Sequence, residues 1–248
     1  MTTLAPAPRR ALAVMAHPDD IEFMAGGLIA RWAEAGAELH YCLLTDGGAG
    51  SRDPSLTPAA LAELRHAEQR AAGAIFGVAG YTFLGHADGR LVASISLRLE
   101  IARVIRQVRP DAVVTCDPRF FYTSSYVNHP DHRAAAEATL AAIMPIANTR
   151  LAAPELLEEG LEPHDVGHVY LAFPDQPTHW LPLSEQHLDR KIAAMRAHVS
   201  QVGGWNPDAM LRDFAVVAAG QARAHGVECE LAEAYVQIAM RRGPEQEA

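Results

Sequence analysis

"ALAVMAHPDDIEFMAGGLIARWAEAGAELHYCLLTDGG", residues 11–48, decides the fold. The run ALAVMA at 11–16 is short, wholly apolar and stopped by a turn, as a buried parallel strand requires. GGLIARWAEAG at 26–36 spaces Leu28, Ile29 and Trp32 as one helix face does, and Gly36 supplies the stop. A second strand, Leu39 to Thr45, then opens into a glycine-rich loop. Strand, helix and parallel strand in that order make a β-α-β unit, and the turn after its first strand carries His17, Pro18, Asp19 and Asp20.

The pattern repeats downstream. Thr57 caps a helix that has Pro58 at its first position and runs to Gly77. GYTFLGHADGRL at 80–91 is a strand followed by an Asp88-Gly89 turn. LRLEIARVIRQVRP at 97–110 is a helix stopped by its proline, and DAVVTCDP at 111–118 a buried strand. HPDHRAAAEATLAAI at 129–143 starts a helix on Pro130, and 145–165 reads as an irregular surface loop. VGHVYLAF at 166–173 is a late strand, SEQHLDRKIAAMRAHVSQV at 184–202 a helix capped by Ser184, and 207–226 the last helix. Such alternation predicts a Rossmann-like α/β fold: a mostly parallel sheet with helices on both faces, in one domain spanning residues 1–248. Ligands bind such sheets beyond the carboxyl ends of the strands, where HPDD, TDGGAGSRD and the loop into NHPDH all fall.

Charge narrows the partner. A formal net charge of -9 and a pI near 5.7 give no footprint for nucleic acid or an acidic membrane. No apolar run reaches a membrane span, and ALAVMA is too brief for a signal segment. Cys42, Cys116 and Cys229 form no CxxC pair, which favours reduced thiols and a cytoplasmic location. Lys191 is the sole lysine. GxGxxG is missing from the first turn, so a dinucleotide is not expected, while TDGGAGS could cradle a phosphate, leave room for a sugar or be plain surface loop.

His17 and Asp20 share a tight turn, and His132 can add a third ligand from another loop. Two imidazoles and a carboxylate suit catalytic zinc, or another divalent ion, with one position left for water. The adjacent Asp19 is then free to act as general base. His129 and His132 lie three apart at a helix start, so one can bind the ion while the other, held and charged by Asp131, faces a developing oxyanion.

At these residues the chain resembles the LmbE-like, or PIG-L, family of zinc-dependent de-N-acetylases. LTDGGAGSRDP, LRHAEQRAAGAIFGV, FLGHADGRL, IRQVRPDAVVTCDP, YVNHPDHRAAAEA and DRKIAAMRAHVSQ follow the family's order, from about residue 11 to 240. The resemblance implies a hydrolase that removes an N-acetyl group from an N-acetylglucosamine-like small molecule or its conjugate. In it His17, Asp20 and His132 bind zinc, Asp19 is base and then acid, and His129, oriented by Asp131, stabilises the tetrahedral intermediate. Arg65 and Asp88 grip sugar hydroxyls, and homo-oligomers are expected. Two departures stand out: Ile21 interrupts the common HPDDE, leaving the acid at Glu22 as a helix N-terminal carboxylate, and Gly48 replaces a common glutamate. His198 matches a recurrent family histidine, and reads as a packed residue or one that supports the site residues from behind, in either case left out of the site. Two other accounts compete: an amidase acting on a thiol-sugar conjugate, and a non-catalytic sugar- or nucleotide-binding module.

Overall fold

A computed structural model describes residues 4–240 of the chain; the domain expected over 1–248 extends at both ends beyond these described residues. Its centre is a seven-stranded sheet in the order β3-β2-β1-β4-β5-β7-β6. The strands are β1 (Arg10–Met15), β2 (Glu38–Thr45), β3 (Gly80–His86), β4 (Ala112–Cys116), β5 (His168–Ala172), β6 (His179–Pro182) and β7 (Ala232–Ala239). β3, β2, β1, β4 and β5 pair in parallel, and β7 runs antiparallel to both β5 and β6. The mostly parallel α/β sheet expected from the sequence is present.

Residues alternate between two cores. Ala11, Ala13 and Met15 of β1 pack on one face of the sheet, and Leu12 and Val14 on the other. A central strand covered on both sides must be apolar throughout, which is why ALAVM shows no alternation. The helices are α1 (Asp20–Glu34), α2 (Pro58–Phe76), α3 (Ile95–Val108), α4 (Pro130–Ala141), α5 (Pro154–Glu158), α6 (Glu185–Arg196), α7 (Val199–Val202) and α8 (Pro207–Ala224). Residues of α1, α2, α6 and α8 line the first core; residues of α3 and α4 line the second.

Several boundaries differ from expectation. α1 begins at Asp20, six residues ahead of the expected 26, so the last aspartate of HPDD lies in its first turn. The Gly26-Gly27 pair that suggested a helix start sits mid-helix because α6 and β7 press on it: a Cβ on Gly26 would lie 2.7 Å from Lys191 Cγ, and one on Gly27 2.8 Å from the Glu233 carboxyl carbon. The segment 145–165 is not all loop, since α5 and a turn of tighter helix at Arg150–Ala152 lie within it. The long helix expected over 184–202 breaks after Arg196, and α7 resumes at Val199. Strands β6 and β7 escape a search for short apolar runs, β6 for its four-residue length and β7 for its interspersed Glu233, Tyr235 and Gln237.

The strand order places the site. The chain steps outward from β1 through β2 to β3, then returns to lay β4 on the other side of β1. Loops leaving the carboxyl ends of β1 and β4 therefore diverge and open a crevice at this switch point. The first loop is HPDD, and the second leads into HPDH.

Candidate metal centre

The crevice gathers three imidazoles and three carboxylates. His17 leaves β1, Asp20 opens α1, and Asp88 follows β3. His129 caps α4, whose first turn contains Asp131 and His132. Ring nitrogens of His17, His129 and His132 lie within 4.8 Å of one another, as do donor atoms of His17, Asp88 and Asp131. Asp20 lies between two of the rings: Oδ2 is 3.2 Å from His17 Nδ1, and Oδ1 is 3.1 Å from His132 Nε2. The expected trio of His17, Asp20 and His132 is thus brought together from two distant loops.

The chemistry of these donors fits a cation. Asn128 Nδ2 donates to the Phe120 carbonyl, which turns Asn128 Oδ1 toward His132 Nδ1 at 2.9 Å. His132 Nδ1 must then carry a proton, and a neutral ring presents the Nε2 lone pair to Asp20 Oδ1. Two acceptors face each other at 3.1 Å only when something positive joins them. His17 repeats the pattern, with Nε2 3.0 Å from Asp88 Oδ1 and 3.4 Å from Asp131 Oδ2, yet out of line for a hydrogen bond. Burial disfavours charge on His17, but the surrounding carboxylates, Asp20 foremost, outweigh it and push the ring up to about 12. Burial would likewise raise Asp20, and the His132 and His17 rings override it and hold that carboxyl well below its usual range. A divalent ion ligated by these groups would supply the positive charge that protonated imidazole otherwise provides.

Asp19 stands beside this cluster with its backbone in the left-handed region, φ 92°. Its Oδ2 accepts from Arg65 Nη2 at 3.1 Å, and burial pushes its carboxyl up to about 6 against the pull of that guanidinium. A carboxylate tuned close to neutrality suits a general base. Arg65 was expected to grip sugar, but its side chain is only 4 % exposed and is spent on protein: Nη1 donates to the Gly47 carbonyl and Nη2 to the Pro18 carbonyl. The reason is that α2 approaches the turn from behind. Asp88, the other expected sugar contact, lies inside the histidine and carboxylate cluster with a 7 % exposed side chain.

The glycine loop after β2 also finds its reason in Arg65. Gly47 has φ +67°, and a Cβ there would fall 2.8 Å from Arg65 Nη1. Gly47 therefore packs against a guanidinium, while Ala49, Gly50 and Ser51 beyond it lie exposed on the surface. At Gly48 a Cβ would meet the Pro58 carbonyl oxygen at 2.9 Å, so the common glutamate has no room in this backbone.

One expected contact is long. Asp131 does not hold His129 through its carboxylate, which lies 4.0 Å from His129 Nδ1 and instead accepts from the Gly89 and Leu91 amides at 2.7 and 3.2 Å. His129 Nδ1 is occupied in capping α4, where it accepts from the Asp131 amide at 3.2 Å. Burial and the neighbouring charge on His17 lower the pKa of His129 despite Asp131, which favours the neutral ring with its proton on Nε2.

Four polar residues beyond the expected set complete the surroundings. Besides Asn128, they are Gln69, Glu22 and His198, each of these three wholly buried. Gln69 joins Asp19 to Glu22, and Glu22 Oε2 lies 3.1 Å from His198 Nε2. The displaced acid in HPDDIE and a histidine recurrent in the family were the available signals. Gln69 and Asn128 lie within LRHAEQ and VNHPDH, stretches that follow the family's order, but nothing in their spacing singled them out.

Residues 12–143 match the family model described as PIG-L, GlcNAc-PI de-N-acetylase. The chain belongs to the PIG-L family. This PIG-L chain is 31% identical over 193 residues to the diacetylchitobiose deacetylase of Thermococcus kodakarensis, covering 78% of the present chain and 70% of that protein. Its fold superposes with a TM-score of 0.83 on N,N'-diacetylchitobiose deacetylase from Pyrococcus horikoshii, at 26% identity and covering 94% and 84% of the two chains. GalB, the 4-carboxy-2-hydroxymuconate hydratase of Pseudomonas putida KT2440, shares the fold at TM-score 0.78 and 24% identity, covering 95% and 98%. The fold thus serves more than one chemistry, and the reaction depends on the side chains of the site. Family and donor cluster together make the protein a hydrolytic enzyme of the deacetylase kind, which sets aside the non-catalytic binding module.

Proposed function

We propose that the protein is a zinc-dependent hydrolase that removes the N-acetyl group from an N-acetylglucosamine-like amino sugar or its conjugate. The observation that carries this reading is the meeting of His17, Asp20 and His132 beside a buried carboxylate, Asp19, pushed up to about 6. Similarity to two diacetylchitobiose deacetylases supports the amino-sugar substrate, and three free cysteines, two of them buried, support a reducing, cytoplasmic setting.

His17, Asp20 and His132 would hold the ion. When bound, it supplies Lewis-acid activation of water and of the amide carbonyl. Asp19 Oδ2 is committed to Arg65, which leaves Oδ1 to take the proton as the water oxygen adds to the carbonyl carbon. His129 donates from Nε2 to the developing oxyanion, since its Nδ1 is committed to the helix cap. Asp19 then returns the proton to the departing nitrogen as the C–N bond breaks, giving acetate and a free amine. Asp131 fastens the 88–91 turn to α4 through the Gly89 and Leu91 amides and so keeps Asp88 at the cluster. Arg65 serves the base in this scheme, and Asp88 is the expected sugar contact that stays nearest the reacting atoms.

The test is acetate release from a panel of N-acetyl amino sugars and their conjugates by protein of measured zinc content. Activity on at least one, lost on chelation and restored by zinc, is expected. No release from any of them by the zinc-loaded protein refutes the proposal.

A further inference from the structure

The geometry points to Gln69 as a positioning residue for catalysis: it grips the peptide unit between Pro18 and Asp19 and thereby aims the Asp19 carboxylate. This rests on the role proposed for Asp19 above. Both ends of that peptide are held by α2. Its carbonyl, on Pro18, accepts from Arg65 Nη2 at 2.5 Å, and its N–H, on Asp19, donates to Gln69 Oε1 at 3.0 Å. Arg65 and Gln69 are four residues apart and share one helix face, so a single rigid element fixes the peptide plane.

The grip matters because of the backbone it restrains. A non-glycine residue at φ 92° is strained and persists only when its surroundings insist on it. Rotation of the Pro18–Asp19 peptide would break both of these bonds and relax φ at Asp19, loosening the frame from which its carboxylate projects. Among the described residues Gln69 Oε1 is the partner of the Asp19 amide, whereas Arg65 has several duties.

The orientation of Gln69 is forced. A backbone N–H can only donate, so the amide oxygen faces Asp19 and the NH2 group faces Glu22, where Nε2 donates to Oε1 at 2.9 Å. Glu22 Oε2 in turn meets His198 Nε2 at 3.1 Å. The Gln69, Glu22 and His198 side chains are all sealed from solvent, so no water can replace a lost partner without opening the core. The acid displaced by Ile21 and a glutamine from α2 thus form one chain of hydrogen bonds ending on the catalytic peptide.

That polarity gives a decisive exchange. In Gln69→Glu one carboxylate oxygen still accepts from the Asp19 amide, but the other confronts Glu22. Adding Glu22→Gln restores every bond: the new amide donates to residue 69, and its oxygen accepts from His198. Net charge equals that of the wild type. With zinc-loaded proteins, Gln69→Leu and Gln69→Glu should each lose about 10- to 100-fold in kcat, as loss of an outer support does, with KM within about twofold and zinc content unchanged. The Glu22→Gln, Gln69→Glu double variant should return to within about threefold of wild type, an excess over additivity that only coupled residues show.

Hydrogen exchange gives a readout that needs no substrate. The Asp19 amide should exchange faster in Gln69→Leu than in the wild type, and regain protection in the double variant. Wild-type kcat in Gln69→Leu, a double variant no better than Gln69→Glu, or unchanged exchange at Asp19 overturns the assignment. A wild-type protein that releases no acetate, with exchange behaving as stated, refutes the proposed reaction and leaves the peptide grip intact.

Discussion

Replacing Asp19 with asparagine separates the cost of a base from its use. Asparagine keeps the size of the side chain and an oxygen for Arg65 Nη2, so the turn should keep its shape and His17, Asp20 and His132 their places. It cannot take a proton from water, and loss of a positioned general base costs about 10²- to 10⁴-fold. That loss in kcat corresponds to roughly 2.7–5.4 kcal/mol of barrier. Stability should move the other way. The Asp19 carboxyl stands at about 6 in the folded chain against 3.8 unfolded, so the folded state binds the proton more tightly. Metal-free stability from this group is therefore fully present below pH 3.8 and is lost as pH rises to about 6. Above that, the ionised carboxylate costs on the order of 3 kcal/mol, which asparagine does not incur. At about 2–4 °C per kcal/mol for a chain of this length, metal-free Asp19→Asn should melt up to about 6–12 °C above wild type at pH 7.5, and the two should converge near pH 3.8. The assays are acetate release by zinc-loaded protein and thermal melts of chelator-treated protein at both pH values. Turnover within threefold of wild type, or a lower melting temperature at pH 7.5, would falsify the reasoning.

Other perturbations test other parts of the structure. His132→Ala should lower zinc affinity by at least about tenfold, read by equilibrium dialysis and elemental analysis, because Asp20 and His17 alone cannot enclose the ion. Lys191→Met keeps the stem that packs on Gly26 but strips a buried partner from Glu233, with which Lys191 Nζ pairs at 2.5 Å. It should cost about 3–5 kcal/mol in denaturant unfolding, and a loss under 1 kcal/mol would show that the Gly27, Leu28 and Tyr235 donors suffice for that carboxylate. A thiol reagent at pH 8 should find Cys229 first in the native protein and all three cysteines in denaturant. Burial pushes Cys42 up to about 12 and Cys116 well above its usual value, whereas Cys229 is partly exposed.

Much of the site was legible because its residues are local to motifs. His17, Asp19 and Asp20 are contiguous with a strand end, and His129, Asp131 and His132 with a helix start, so chain connectivity alone puts each group at the carboxyl edge of the sheet. The roles of Arg65, Asp131 and the glycine loop were not legible in the same way. Each depends on which backbone carbonyls and amides another element presents, and one sequence carries no record of those approaches. The same limit hid β6, where four residues become a strand only because β7 is there to pair with them.

By itself, then, the sequence determined the α/β alternation, the two loops that bear the candidate metal ligands and the carboxylate proposed as base, because periodicity and short-range spacing depend on bonds along the chain. Tertiary structure decided that β1 and β4 lie side by side, that α2 grips the Asp19 turn from behind, and that His198 reaches Glu22 across 176 residues. A buried polar group must find a partner wherever the fold brings one, and sequence distance sets no limit on where that is.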